Sequence, residues 1–183
     1  MSYELKDCCT GAAETERKTT VGITEKDGIL TFVFTAENCK FYCPFKEYNS
    51  LHSKGDACEI LIGTDPARRV YYEIEVSADN GLMIAKMTYQ GEADGEVLLD
   101  IAFEEKPFVE TDVVLQEDGY VATVRFPKEK ILTGEGEIYF NAYRIDTAGG
   151  TKLDDKLLFA LNPTMRRKFH TPERYVWLKD YME

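Results

Sequence analysis

The sequence predicts an all-β protein, an antiparallel β-sandwich of about ten short strands with minor helical turns. Three observations carry this. Apolar and polar residues alternate with period two through most of the chain, as in ILTFVFT and RVYYEIEVS, which is the pattern of strands with one buried face. Turn signals (KDG, TDPAR, DNG, ADG, EDG) separate these runs, at the interval of about 8–12 residues usual for sandwiches. Helical period is nearly absent.

TTVGITE (19–25) and ILTFVFT (29–35) flank KDG and read as a hairpin. ENCKFYCPFKEYNSLHSKGD (37–56) is irregular and aromatic-rich, and a loop of that length in a compact domain is often functional. ACEILIG (57–63) and RVYYEIEVS (69–77) are strands joined across TDPAR. LMIAKMTYQ (82–90) follows DNG, and EVLLDIAFE (96–104) follows ADG. DVVLQ (112–116) and YVATVRF (120–126) flank EDG as another hairpin. Pro127 opens a short helical turn over PKEKIL (127–132). GEIYFNAYRID (136–146), KLLFALNP (156–163) and RYVWLKDY (174–181) complete the strands. No repeat or linker interrupts them. Residues 18–183 are therefore expected to form one domain, with 1–17 a flexible N-terminal segment.

At 183 residues the chain is long enough for one proper core. Its 44% hydrophobic and 30% charged residues are an ordinary soluble mix. No stretch approaches the roughly 20 apolar residues of a membrane helix. The start, MSYELKDCCTGAAETERK, lacks the basic end and apolar run of a signal peptide. A cytoplasmic location is expected for the chain as written, and an extracellular one if a leader was removed. A net charge of −11 repels phosphate backbones and anionic membranes. Nucleic acid and membrane are therefore not expected as partners, and a neutral polar ligand suits the charge.

Five cysteines without regular spacing argue against a disulfide framework. Cys39 and Cys43 have the spacing of half a zinc site, but no second ligand pair accompanies them. Reduced thiols are the expectation. The sequence holds no G-x-S-x-G and no glycine-rich phosphate loop, and no histidine pairs with a nucleophile. No cofactor is expected; a structural calcium would sit among the turn acids Asp79, Asp94, Asp154 and Asp155.

Alternation assigns faces. Cys58, Ile60 and Ile62 oppose Glu59 and Leu61; Tyr72, Ile74 and Val76 oppose Tyr71, Glu73 and Glu75. Ile138, Phe140, Ala142 and Arg144 oppose Tyr139, Asn141, Tyr143 and Ile145. One face is thus apolar and the other carries carboxylates, tyrosines and an amide. The polar face is either a solvated exterior or a surface for a polyhydroxylated ligand, which needs rings for its C–H faces and charged or amide groups for its hydroxyls.

GDACEILIG, YYEIEVSADNG, YVATVRFP, IYFNAYRID and LNPTMRRKFHTPERYVWL occur in that order. Together they resemble the family 9-like carbohydrate-binding domains, within the broader DOMON-type sandwiches. The resemblance covers roughly residues 20 to 180. It rests on Asp56 three before Glu59, on Tyr71, Glu75, Ser77 and Gly81, on Phe140 to Arg144, and on Phe169 to Tyr175. It implies a β-sandwich that binds mono- or oligosaccharide by aromatic stacking and hydrogen bonds, without catalysis. It places Glu59 at the acidic ligand-contacting position and Phe169 at one of two stacking tryptophans. The other tryptophan position falls near Ser53, beside His52. Glu75 stands where such domains carry a basic residue, and ALNP (160–163) replaces W-S-P. The haem-binding relatives use axial Met or His, but Met83, Met87, Met165 and His170 show no such spacing.

The expected ligand-binding residues are Glu59, Glu75, Phe169, His170, Arg166, Tyr48 and His52. His170 either anchors the closing loop or contacts ligand. Tyr48, with Tyr42 and Phe45, could replace the missing ring. Arg144 is expected to be a buried partner of Asp56 or Glu173, and Trp177 to pack in the core. Two other functions fit the same residues: a glycoside-processing enzyme or accessory using the glutamate face, and a protein-interaction module that has lost sugar binding.

Overall fold

The computed structural model describes residues 1–39, 42–44, 46–50, 55–148 and 156–182. Two antiparallel sheets stack face to face. One runs in spatial order β1 (Ser2–Glu4), β3 (Thr19–Lys26), β4 (Ile29–Glu37), β10 (Gly119–Pro127) and β9 (Glu110–Gln116). The other runs β2 (Lys6–Asp7), β12 (Leu157–Ala160), β11 (Tyr139–Asp146), β5 (Ala57–Gly63), β6 (Val70–Ser77), β7 (Leu82–Ala93) and β8 (Glu96–Phe103). A short β13 (Val176–Trp177) pairs with the start of β11. The all-β sandwich predicted from the alternation is the architecture found.

Local chemistry explains the connections. Asp27 and Gly28 both take positive φ (52° and 77°) between β3 and β4, as do Asp94 and Gly95 (52° and 81°) between β7 and β8. That backbone twist matches the twist of the flanking strands. The β5–β6 turn is held by Asp65, whose carboxylate accepts from the backbone N–H groups of Ala67, Arg69 and Val70. Gly119 is required by a close approach: a Cβ there would stand 1.9 Å from the Ala36 carbonyl oxygen of β4.

The core lies between the sheets. Phe32 stacks on Phe126 (centroids 5.8 Å apart) and meets Phe140 edge-on at the same distance. Ile60, Ile62, Ile74, Val76 and Ala142 complete the inner face of the larger sheet. The inner face also holds a charge. Arg144 is fully buried, and its Nη2 lies 2.9 and 3.0 Å from the two Asp56 oxygens, with Nε 3.1 Å from Oδ1. Tyr120, from the opposite sheet, donates to Asp56 at 2.9 Å. The pair thus clamps one sheet to the other, and its partner is Asp56 rather than Glu173.

Four details differ from the sequence reading. The segment before residue 18 is part of the sandwich: Ser2–Glu4 pairs with β3, Lys6–Asp7 pairs with β12, and Leu5 and Cys8 are buried. Strands of two or three residues are too short to show period two. RYVWLKDY holds only the two-residue β13 before a 3-10 turn at Leu178–Tyr181. Trp177 is not in the core; it packs at the outer face with the Arg68 guanidinium 4.4 Å above its ring. The outer face of the larger sheet is also covered over much of its width, from β11 to β7, and is open at β8. Leu61, Tyr71, Ala85, Tyr139, Tyr143, Phe169 and Tyr175 form a second buried cluster there, because the chain after β12 folds back across it.

Candidate functional site

The returning segment is tied down at several points. Asn141 of β11 donates to the Asn162 carbonyl (2.8 Å), and its Oδ1 accepts from Asn162 N–H (3.0 Å). Tyr143 donates to the Phe169 carbonyl (2.9 Å), and its ring stacks on Phe169 with centroids 4.2 Å apart. Tyr71 of β6 meets His170 Nδ1 at 2.9 Å. From the other side, the Cys8 thiol lies 3.0 Å from Thr164 Oγ1, and Met165 N–H donates to the Cys8 carbonyl. Outward residues of β11 and β6, with the N-terminal segment, therefore set the position of residues 162–170.

Beneath this segment lies a hollow of about 290 Å³ lined by Glu59, Glu73, Glu75, Phe169 and His170, with Ile145, Leu158, Lys156, Arg167 and Lys168 at its wall and rim. Strand pairing builds its floor. Glu59 of β5 and Glu75 of β6 are direct cross-strand partners, and Glu73 shares the face of Glu75 two residues away. Each of the three offers a carboxylate oxygen within 4.8 Å of the others. All three are buried. Burial first, and then the neighbouring carboxylates, push Glu59 well above the usual carboxylate range. Burial pushes Glu73 up to about 7. The trio therefore retains a proton near neutral pH. Glu59 Oε1 and Glu73 Oε2 are buried without a hydrogen-bond partner among the described residues. Buried oxygens of this kind normally have one.

His170 Nε2 lies 4.0 Å from Glu73 Oε1. Burial lowers its pKa to about 4, so the imidazole is neutral at pH 7. It presents one ring nitrogen to the trio while the other is held by Tyr71. His170 thus both anchors the closing segment and lines the hollow.

Of the expected site residues, Glu59, Glu75, Phe169 and His170 come together here. Phe169 is only 9% exposed and lies against Tyr143, so it walls the hollow instead of standing free. Arg166 does not line it. Its guanidinium pairs with Glu92 (2.6 Å) and Glu173 (3.3 Å) and donates to Thr171 Oγ1. Tyr48 packs against the core between the sheets. His52, Ser53, Phe45, Asp154 and Asp155 lie outside the described residues. Glu73 is an additional floor residue, and alternation with Glu75 already placed it on this face. Lys156 carries no sequence signal for its position; it reaches the hollow because β12 begins beside the end of β11.

The glutamate trio has the hard oxygen donors that a divalent cation takes. Of the turn aspartates, Asp79 lies 3.4 Å from Lys46, and Asp94 forms the β7–β8 turn. The five cysteines are free thiols. No helix among the described residues is long and apolar enough to cross a membrane.

The arrangement is that of a β-sandwich module with a polar hollow under its closing loop. Solved structures share the fold. A candidate carbohydrate-binding protein of Bacteroides uniformis ATCC 8492 aligns over 96% of this chain and 84% of its own, with TM-score 0.70 and 11% identity. A family 9 carbohydrate-binding module of Caldicellulosiruptor kristjanssonii, in complex with glucose, aligns over 95% and 82%, with TM-score 0.54 and 13% identity. A module of that family and organism in complex with cellotriose aligns over 94% and 80%, with TM-score 0.53 and 13% identity. No family model and no curated protein matches the sequence. The β-sandwich implied by the motifs is therefore the fold of this chain, and these structures share it.

Proposed function

We propose that the protein binds carbohydrate, without catalysis, in the hollow floored by Glu59, Glu73 and Glu75. The observation that carries this reading is the set of buried carboxylate oxygens, two of them without a hydrogen-bond partner among the described residues, at the bottom of a hollow walled by a ring. Sugar hydroxyls are donors that satisfy such oxygens, and the Phe169 ring supplies an apolar part of the wall for a C–H face. Lys156, Arg167 and Lys168 stand at the wall and rim, where Arg167 donates to the Lys156 carbonyl (2.7 Å) and Lys168 to the Gly95 carbonyl. The glucose and cellotriose bound by the two modules of like fold support a saccharide as the ligand class.

A non-catalytic role is supported by the placement of all three carboxylates on one side of the hollow. Glycosidase carboxyl groups stand about 5–9.5 Å apart on either side of a scissile bond. Here the three glutamates sit together on the floor of the hollow, each with an oxygen within 4.8 Å of the others. Among the described lining residues, no further carboxylate faces them across the hollow.

Calorimetric and NMR titration with a panel of mono- and oligosaccharides tests the reading. Binding is expected for at least one sugar, and Glu59→Leu, which keeps the volume but removes the acceptors, is expected to abolish it. Absence of heat and of shift changes across the panel would end the claim. Release of reducing sugar by the wild type, lost in Glu59→Gln, would replace it with an enzymatic one.

A further inference from the structure

Two of the three glutamates also border a second hollow. Glu73, Glu75 and His170 line a further space of about 160 Å³. Its other wall is formed by Met83 and Met87 of β7 and by Ile101 and Phe103 of β8. The two hollows thus share three residues and lie side by side as a two-part groove on the outer face of the larger sheet.

Strand register puts Phe103 in that groove. Phe103 pairs with Ala85, and Ile101 with Met87. Directly paired residues point to the same side of a sheet, and Ala85 and Met87 belong to the outer cluster. Ile101 is 49% exposed and Phe103 45% exposed. Phe103 is therefore a ring with a free surface, whereas Phe169 is 9% exposed and already stacked on Tyr143. The groove passes from β12 to β8, five strand steps of about 4.8 Å, or roughly 24 Å along the face. That length exceeds one sugar ring.

Its lining selects the occupant. A purely apolar partner laid on Ile101 and Phe103 would leave Glu73 Oε2 buried beside it without a donor. A chain of pyranose rings has hydroxyl edges for the carboxylates and C–H faces for the ring, in alternation along its length. We infer that the ligand is an oligosaccharide lying across the glutamate trio, with Phe103 as the stacking ring of a second subsite. This rests on the saccharide reading above and goes beyond it in residue and ligand length.

The test compares trisaccharides with their monosaccharides: cellotriose and maltotriose with glucose, and xylotriose with xylose, by calorimetry on wild type, Phe103→Ala and Phe103→Trp. For the linkage that binds, the trisaccharide is expected to bind about tenfold or more tighter than its monosaccharide, in line with stacking contributions elsewhere. Phe103→Ala should remove most of that advantage and leave the monosaccharide unchanged, and Phe103→Trp should preserve or raise it. Circular dichroism confirms that the variants fold, as expected for an exposed position. Equal affinity for both lengths, or an unchanged ratio in Phe103→Ala, would overturn the second subsite while leaving saccharide binding intact. Absence of binding by every sugar would overturn both.

Discussion

Two neighbouring groups in the hollow should make stability depend on pH in opposite directions. Glu73 has its pKa raised from 4.5 to about 7 by burial. The folded state therefore favours its proton, and the stability it contributes is full below about pH 4.5 and lost as pH rises to about 7. At 1.36 kcal/mol per unit this amounts to about 3 kcal/mol. His170 has its pKa lowered from 6.5 to about 4 by burial. Its contribution is full above about pH 6.5 and lost, again by about 3 kcal/mol, as pH falls to about 4. The windows overlap, so the two slopes largely offset in the wild type. Glu73→Gln removes one. Relative to wild type, its unfolding free energy should rise by about 3 kcal/mol from pH 4.5 to 7.5. His170→Gln should instead gain on the wild type as pH falls from 6.5 to 4.5. Urea denaturation followed by fluorescence at four pH values measures both differences. Glu59 and Glu75 face Glu73 directly, with Lys156, Arg167 and Lys168 also lining the hollow, so coupling should broaden each transition without changing its sign. A Glu73→Gln curve parallel to wild type would show that Glu73 titrates normally, and the account of a proton-retaining trio would fail.

Other expectations concern the frame around the site. Asp56→Ala leaves the Arg144 charge buried without its main partner and should cost about 3–5 kcal/mol in urea unfolding; a cost under about 1 kcal/mol would contradict the clamp between sheets. Gly119→Ala drives a methyl into the Ala36 carbonyl and should cost about 3 kcal/mol or more. Gly28→Ala, at φ 77° with nothing within 4 Å, should cost only about 1 kcal/mol. Equal losses at the two glycines would refute the steric argument. Phe32→Ala, between Phe126 and Phe140, should cost about 3–5 kcal/mol, read from the thermal midpoint.

Alternation along β5, β6 and β11 assigned their faces correctly from the residues alone, since side-chain direction in a strand is a local property. It also put Glu59, Glu73 and Glu75 on one face and Arg144 on the other. The N-terminal strands leave no trace in the alternation because two or three residues carry no period. Proximity in sequence places Tyr48 and Arg166 at the site, yet Tyr48 packs inward and Arg166 is held by Glu92 and Glu173.

Local pattern by itself determined the sandwich, its turns and the two faces of its strands, because these depend on the chemistry of adjacent residues. Only the tertiary structure decided what covers the polar face. Strand order brings β5 beside β6, and contacts from Asn141, Tyr143, Tyr71 and Cys8 fold residues 162–170 over the glutamates. Burial then raises the carboxyl pKa values and turns a row of acidic residues into a hollow. That effect depends on distance in space, which the order of residues along the chain does not record.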